Sequence, residues 1–290
     1  MKPALDNKIH ELLNKKILAL ESHFNSDVLC YYGPFEGGNE NTFLRIVEDL
    51  SNDSDKKDKI YIILTTGGGS ANVVERFVNI LRKHYEEVHF IIPDYSYSAG
   101  TIFCMSGDSI HMDYFSVLGP IDPQVQNKEG KLVAALGYLD KINELLTKAQ
   151  NNTLSQAEFI ILKDFDLAEL REYEQARDLT IDLLEKWLVK YKFKNWNTHR
   201  TNSQLKGTKV TKSEKIQRAK EIAGHLSNNT EWKSHGRPID IESLKELKLE
   251  IDDYSDNKER RGLIREYYEI MSDYVKSVNY RNFVHTRKFI

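Results

Sequence analysis

From Lys8 to Phe24 the apolar residues Leu12, Leu13, Ile17, Leu18 and Leu20 recur on one helical face, so the spacing predicts an amphipathic helix near the start of the chain. Val28-Leu29-Cys30-Tyr31-Tyr32 then reads as a short buried strand closed by Gly33-Pro34, and Phe43, Ile46, Val47 and Leu50 mark a helix by i, i+3, i+4, i+7 spacing. After the polar stretch Ser51 to Asp58, the run Ile60 to Leu64 predicts a second strand leading into Thr65-Thr66-Gly67-Gly68-Gly69-Ser70, and Val74, Phe77, Val78 and Leu81 line another helix. A third strand, Val88 to Ile92, stops at Pro93, and an apolar helix begins near Ser98. Strands that alternate with helices imply a mostly parallel sheet, with function at the carboxyl ends of its strands.

Beyond Pro123 the pattern changes. Leu132 to Leu188 is dominated by helix formers, and Leu263, Tyr267, Ile270, Met271 and Tyr274 describe a further helix. The expected organisation is an N-terminal helix over 1–27, a catalytic core over 28–130, a helical extension that also completes the core over 131–252, and a C-terminal helix and tail over 253–290.

Composition narrows the function classes. With 290 residues, 40% hydrophobic and 29% charged, the chain has the make-up of a globular protein with a sizeable core. Its longest apolar runs are far shorter than the roughly 20 residues that cross a bilayer. The segment Met1 to Ser22 is interrupted by charges and lacks a secretory pattern, so no transmembrane segment and a cytoplasmic location are expected. Cys30 and Cys104 lie on a predicted strand and a predicted helix without metal-ligand spacing, which points to reduced packing residues and no metal. No cofactor signature is legible. A net charge of -3 gives no global pull toward nucleic acid. Basic residues do cluster between Lys190 and Lys220, where Lys192, Lys194, Trp196, His199 and Arg200 interleave charge with aromatic rings in the manner of a nucleic-acid surface. A basic stretch is more often a solvated face, so nucleic acid is not the expected partner.

The candidate chemistry is acyl transfer. That reaction needs a fixed nucleophile and backbone N–H donors aimed where a carbonyl oxygen becomes negative. Gly67-Gly68-Gly69 follows directly on a strand, where glycine can adopt positive φ and approach a ligand closely, so an N–H from Gly68 can face an oxyanion. Ser98 heads a helix through Ala99, Gly100 and Thr101, where free N–H groups favour a developing anion and Ala99 can supply the second donor. Small residues at 99 and 100 would let substrate come close. Both features also have ordinary structural uses, in phosphate binding and in helix capping.

Together these segments resemble the ClpP/crotonase superfamily, and most closely the serine dehydrogenase proteinase family, relatives of signal peptide peptidase A. Thr65-Thr66-Gly67-Gly68 is similar to the family's T-P-G-G turn and Tyr97 to Thr101 to its nucleophile motif. Gly107 to Met112, Ser116 to Gln124 with its L-G-P-I-D-P-Q run, and Ser234-His235-Gly236-Arg237-Pro238-Ile239 match further motifs. The resemblance implies a ClpP/crotonase-like repeated ββα spiral with a mostly parallel sheet and a helical C-terminal region. It also implies a serine peptidase acting on peptides or unfolded segments, and a homo-oligomer. Ser98 is then the nucleophile, with Gly68 and Ala99 as the oxyanion hole and Gly67 and Gly69 accessory to it. Thr66 stands where the family has proline. ClpP-like relatives place a histidine about 25 residues after the serine, where this chain offers Asp122. Signal-peptide-peptidase-like relatives use a lysine further on, so Lys141 and Lys148 are candidate bases, provided that apolar neighbours such as Leu139, Ile142, Leu145 and Leu146 enclose them. His235 is a possible accessory residue, and His111 reads as structural. Two alternatives are a crotonase-type enzyme that holds a thioester enolate, and a catalytically silent binding or assembly protein.

Overall fold

Strands with unbroken apolar runs need cover on both faces. The computed structural model, which describes residues 3–126, 130 and 132–290, supplies that cover with helices. In chain order, helix α1 (Pro3–Phe24) leads into β1 (Asp27–Tyr32), α2 (Glu40–Ser51), β2 (Lys59–Thr65), α3 (Ala71–His84) and β3 (Glu87–Ile92). The short β4 (Tyr95–Ser96), α4 (Ala99–Met105), β5 (Ser109–Met112), β6 (Val117–Leu118), β7 (Gln124–Gln126) and β8 (Leu132–Ala134) come next. Then come α5 (Ala135–Gln150), α6 (Gln156–Lys163), α7 (Leu167–Trp187) with a π-helical turn Leu188–Lys192, α8 (Lys212–Leu226), α9 (Asn229–Trp232) and α10 (Ile241–Glu246). The strand β9 (Asp252–Asp253), the helix α11 (Lys258–Val278) and the strand β10 (Phe283–His285) end the chain.

The main sheet has the order β10-β1-β2-β3-β5-β9, parallel throughout except for β10, which pairs antiparallel with β1. Alternation along each strand divides the core in two. Leu29, Tyr31, Ile60, Ile62 and Leu64 face α2, α3, α4 and α7, whereas Val28, Cys30, Tyr61 and Ile63 face α1 and α11 through Leu13, Ile17, Tyr267 and Met271. Both cysteines are free and buried, and burial pushes each thiol up to about 12. Among the described residues no helix is long and apolar enough to cross a membrane.

The structure departs from the sequence pattern at two places after α4. The region read as helical from Leu132 begins with β8, which pairs antiparallel with β7 before α5 starts at Ala135. The helices α5 to α7 carry a small cluster of their own, Ala135, Leu139 and Tyr173, and α6 leaves Phe159, Ile160 and Ile161 exposed.

The C-terminal tail is tied to the start of β1 by a buried charge. Asp27 is fully buried and accepts hydrogen bonds from Tyr85 Oη at 2.8 Å and Arg287 Nη1 at 2.7 Å. Asp27→Ala would leave the Arg287 guanidinium with Glu21 as its remaining close acceptor and the Tyr85 hydroxyl with none, and is expected to lower stability by about 3 kcal/mol, read from the urea unfolding midpoint. Lys288→Ala removes only an exposed partner of Asp53 and should cost less than about 1 kcal/mol. Equal small shifts in the two variants would show that the buried charge does not anchor the tail.

Candidate active site

The sequence motifs lie far apart in the chain, and a short ledge beside the main sheet brings them together. Thr66 bridges to Ser96, Ser96 pairs with Leu118 through β4 and β6, and Leu118 bridges antiparallel to Ile239. The bonds are regular: Tyr97 N–H donates to Thr66 O at 3.0 Å, Gly119 N–H to Ser96 O at 3.1 Å, and Leu118 and Ile239 exchange bonds of 2.9 and 2.8 Å. Because the first three segments run parallel and the last antiparallel, the residues after Thr66, Ser96 and Leu118, and those before Ile239, extend beyond the same edge. Gly68, Ser98, Asp122 and His235 are therefore all delivered to one side of the ledge.

Ser98 caps α4 in an unusual conformation, with φ of 54° and ψ of -119° and no capping bond from its side chain. A non-glycine residue there is strained by about 1–3 kcal/mol and needs the surrounding structure to hold it. Thr101 does much of this holding. Its buried hydroxyl donates to Ser96 O at 2.9 Å and Gly119 O at 2.8 Å, which bolts the first turn of α4 to β4 and to the turn after β6. The Ser98 hydroxyl is half-buried and makes no hydrogen bond among the described residues.

Gly68 is packed against this serine. A Cβ at Gly68 would stand 2.8 Å from Ser98 Cβ, and its φ of 107° suits glycine alone. Gly69 has a different reason to be glycine: a Cβ there would lie 2.3 Å from Phe35 O. The space at Gly100 is also taken by the protein itself, since a Cβ would meet Ser96 Oγ and Thr66 Cγ2, both at 2.4 Å. The small residue at 100 thus admits the ledge, not a substrate as its motif position suggested.

The donor geometry differs from the open pair expected. Gly68 N–H donates to Thr66 Oγ1 at 3.0 Å, so the threonine that replaces the family's proline occupies the very amide foreseen for the oxyanion. Ala99, at the first position of α4, keeps an N–H of the helix terminus that has no carbonyl in its own helix to meet.

Asp122 and His235 form a pair. Asp122 is buried, and its Oδ1 lies 2.8 Å from His235 Nδ1, whose side chain is 19% exposed. Its second oxygen, Oδ2, is buried with no hydrogen-bond partner among the described residues. Lys141 and Lys148 are elsewhere. Lys141 is 55% exposed and bonded to Glu144 at 2.8 Å, and Lys148 bridges Glu144 at 3.0 Å and Glu158 at 2.7 Å. Hydrogen bonds donated to Glu158 and Glu144 raise the Lys148 pKa, which is opposite to what a base at neutral pH requires. Leu139, Ile142 and Leu145 are buried and Leu146 is exposed, and none of them encloses either amine, since both lysine side chains reach out to carboxylates at the surface.

The remaining candidates are structural neighbours. His111 Nδ1 is 3.1 Å from Asp252 Oδ2, and its Nε2 is 2.7 Å from Ser109 Oγ, on the β5–β9 edge of the main sheet. Three residues of the basic stretch are engaged in ion pairs with carboxylates: Lys194 with Asp108 at 2.6 Å, His199 with Glu214 at 3.1 Å and Arg200 with Glu250 at 3.6 Å. What the sequence did not disclose is the ledge itself, and with it the pinning role of Thr101 and the pairing of His235 with Asp122. The Asp122 and His235 motifs were each visible, but only the bridge from Leu118 to Ile239 makes them neighbours.

Several known proteins resemble the chain. Two uncharacterized proteins of Methanocaldococcus jannaschii are similar: MJ1495 is 27% identical over 74% of this chain, and MJ0137 is 28% identical over 79% of it. The chain spans 56% and 63% of the length of these two relatives. Among solved structures, two point mutants of the 1510-N membrane-bound stomatin-specific protease, one of them in complex with a substrate peptide, match at 21% and 22% identity. These matches cover 42% and 50% of this chain and 58% and 74% of the other, each with a TM-score of 0.33. Residues 40–206, more than half of the chain, match the ClpP-like SDH-type serine proteinases, and the chain belongs to that family.

Proposed function

We propose that the chain is a serine endopeptidase that cleaves peptides or unfolded protein segments through an acyl-enzyme on Ser98, with His235 as general base and Asp122 as its orienting carboxylate. The observation that carries the reading is the conformation of Ser98, held at φ 54° at a helix start with its hydroxyl free and Gly68 in contact. Nucleophiles of acyl-transfer enzymes on α/β sheets sit on sharp, strained strand-to-helix turns of this type.

The choice of base follows from what each group can accept. With Nδ1–H donated to Asp122, His235 is left with a bare Nε2, the nitrogen that takes a proton from serine in a Ser-His-Asp relay. The ledge supports this role, because it brings the His235 and Ser98 segments to the same edge. In the proposed reaction Ser98 Oγ bonds to the substrate carbonyl carbon as its proton passes to His235 Nε2. The oxyanion is met by Ala99 N–H, and by Gly68 N–H once the latter leaves Thr66 Oγ1. The imidazolium then protonates the departing amine, and water hydrolyses the ester by the same route.

A fluorophosphonate probe should label the wild type and leave Ser98→Ala unlabelled; equal labelling of the two would remove Ser98 from the mechanism. His235→Ala and Asp122→Asn are expected to lower kcat/KM for an unstructured peptide by about 10³-fold or more, without change in far-UV circular dichroism. Lys141→Ala and Lys148→Ala should each stay within about twofold of wild type, since they lose only exposed ion pairs. A reversal of that order would return the base to a lysine. Thr66→Val preserves shape while releasing the Gly68 amide. One neutral hydrogen bond is worth about 1 kcal/mol, so kcat should rise roughly fivefold. An unchanged or lower kcat would exclude Gly68 as a donor in the rate-limiting step.

A further inference from the structure

At the amino-terminal edge of the main sheet, a strand's length or roughly 20 Å from the end that carries Ser98, lies a cavity of about 1160 Å³. It opens between the start of β5, the edge strand β9, the π-helical turn and α8. We infer that this cavity is a binding site for an organic monocarboxylate with an apolar body, held by Lys192.

Lys192 is set apart from the other cations of the wall. Arg218 pairs with Glu221 at 2.8 Å, Lys245 with Glu242 at 3.0 Å and Arg200 with Glu250 at 3.6 Å, while Lys248 is exposed to water. The half-buried ammonium of Lys192 makes no hydrogen bond or ion pair among the described residues. An ammonium withdrawn from water without a partner is destabilising, and a carboxylate arriving in the cavity would relieve it. Burial lowers the Lys192 pKa to about 8, even though the charges of Glu250, Asp108 and Asp252 act in the opposite direction.

Its position is fixed by the backbone. Lys192 is the last residue of the π-helical turn, a rare geometry that recurs at functional sites. Neighbours on both sides anchor that turn: Leu188 and Phe193 are buried, and the Arg82 guanidinium covers the Tyr191 ring at 3.9 Å. Phe193, half-buried Trp196, Leu205 and Leu249 provide apolar wall beside the amine.

The charges of the wall select the class of anion. Asp108, Glu214, Glu221, Glu250 and Asp252 all line the cavity, and a phosphate dianion would meet more repulsion from them than a single carboxylate does. The carboxylate could belong to a free aromatic or aliphatic acid or to the C-terminus of a peptide. In either case binding restores the full charge of Lys192. Affinity should therefore be level below about pH 8 and fall toward tenfold per pH unit above it, as the free amine loses the proton that the complex retains.

Differential lysine modification tests the inference on the intact chain. With trace acetic anhydride at pH 8, followed by mass spectrometry, Lys192 should react faster than the exposed lysines. Millimolar 4-phenylbutyrate should slow that reaction at least tenfold, and phenyl phosphate should slow it much less. A tripeptide ending in phenylalanine, tested in the Ser98→Ala protein so that hydrolysis does not consume it, should protect only with its carboxylate free if peptide termini are the source. If it fails where phenylbutyrate succeeds, the source is a free acid. Lys192→Met should weaken 4-phenylbutyrate binding at least tenfold by calorimetry. Equal protection by phenyl phosphate, protection by the peptide amide, or no protection by any carboxylate would overturn the assignment. Each of these is read in a folded protein, and none depends on peptidase activity.

Discussion

Backbone hydrogen bonds along the ledge Thr66–Ser96–Leu118–Ile239 hold Ser98 in a conformation that costs a serine about 1–3 kcal/mol. A turn of that kind relaxes unless the chain is fixed on both sides of it. Upstream, Tyr97 N–H is bonded to Thr66 O at 3.0 Å; downstream, the Thr101 hydroxyl grips Ser96 O and Gly119 O. The same bonds that support the strained turn also bring Gly68 under the serine and carry the Asp122 and His235 segments to the same edge. One set of contacts thus accounts for both the shape of the Ser98 turn and the segments that share its edge.

Much of the main sheet was legible because its strands bury both faces and so read as continuous apolar runs. The segments Val28–Tyr32, Ile60–Leu64 and Val88–Ile92 were placed to within a residue or so of β1, β2 and β3. Pairs two or three residues long leave no such trace. β9 is two exposed aspartates and β10 is three residues after a helix, and each is a strand only because an edge of the sheet offers it bonds. The ledge is invisible for the same reason: it is built from β4, β6 and isolated bridges, in which partner, not composition, decides the conformation.

Glycine in the site motifs shows how a residue can be read correctly and its reason missed. Positive φ was expected along Gly67-Gly68-Gly69 and is found at Gly68 and Gly69, at 107° and 135°, but not at Gly67. The expectation that Gly100 leaves room for substrate fails, since Ser96 and Thr66 fill that space. Sequence can say that a Cβ is unwelcome, but which atom takes its place depends on segments dozens of residues away. Thr66 is the sharper instance. It stands where the motif has proline, and its side chain hydroxyl closes the turn onto the Gly68 amide at 3.0 Å.

A lysine base and a histidine base make opposite demands on their surroundings, and this contrast favours His235. Lysine must be stripped of water and of carboxylates before it gives up its proton near neutrality, and Lys148 has been given two carboxylates on an exposed helix. Histidine works best beside a carboxylate, which fixes the tautomer and steadies the imidazolium formed as serine is deprotonated. Asp122, buried and 2.8 Å from His235 Nδ1, meets that need. The lysine that does lie enclosed and unpaired is Lys192, at the far edge of the sheet, where it can meet a ligand but not Ser98. The chain thus carries a carboxylate-paired imidazole on a segment that reaches the serine's edge of the ledge and a desolvated amine at the opposite end of the sheet, which suits two sites with separate chemistry.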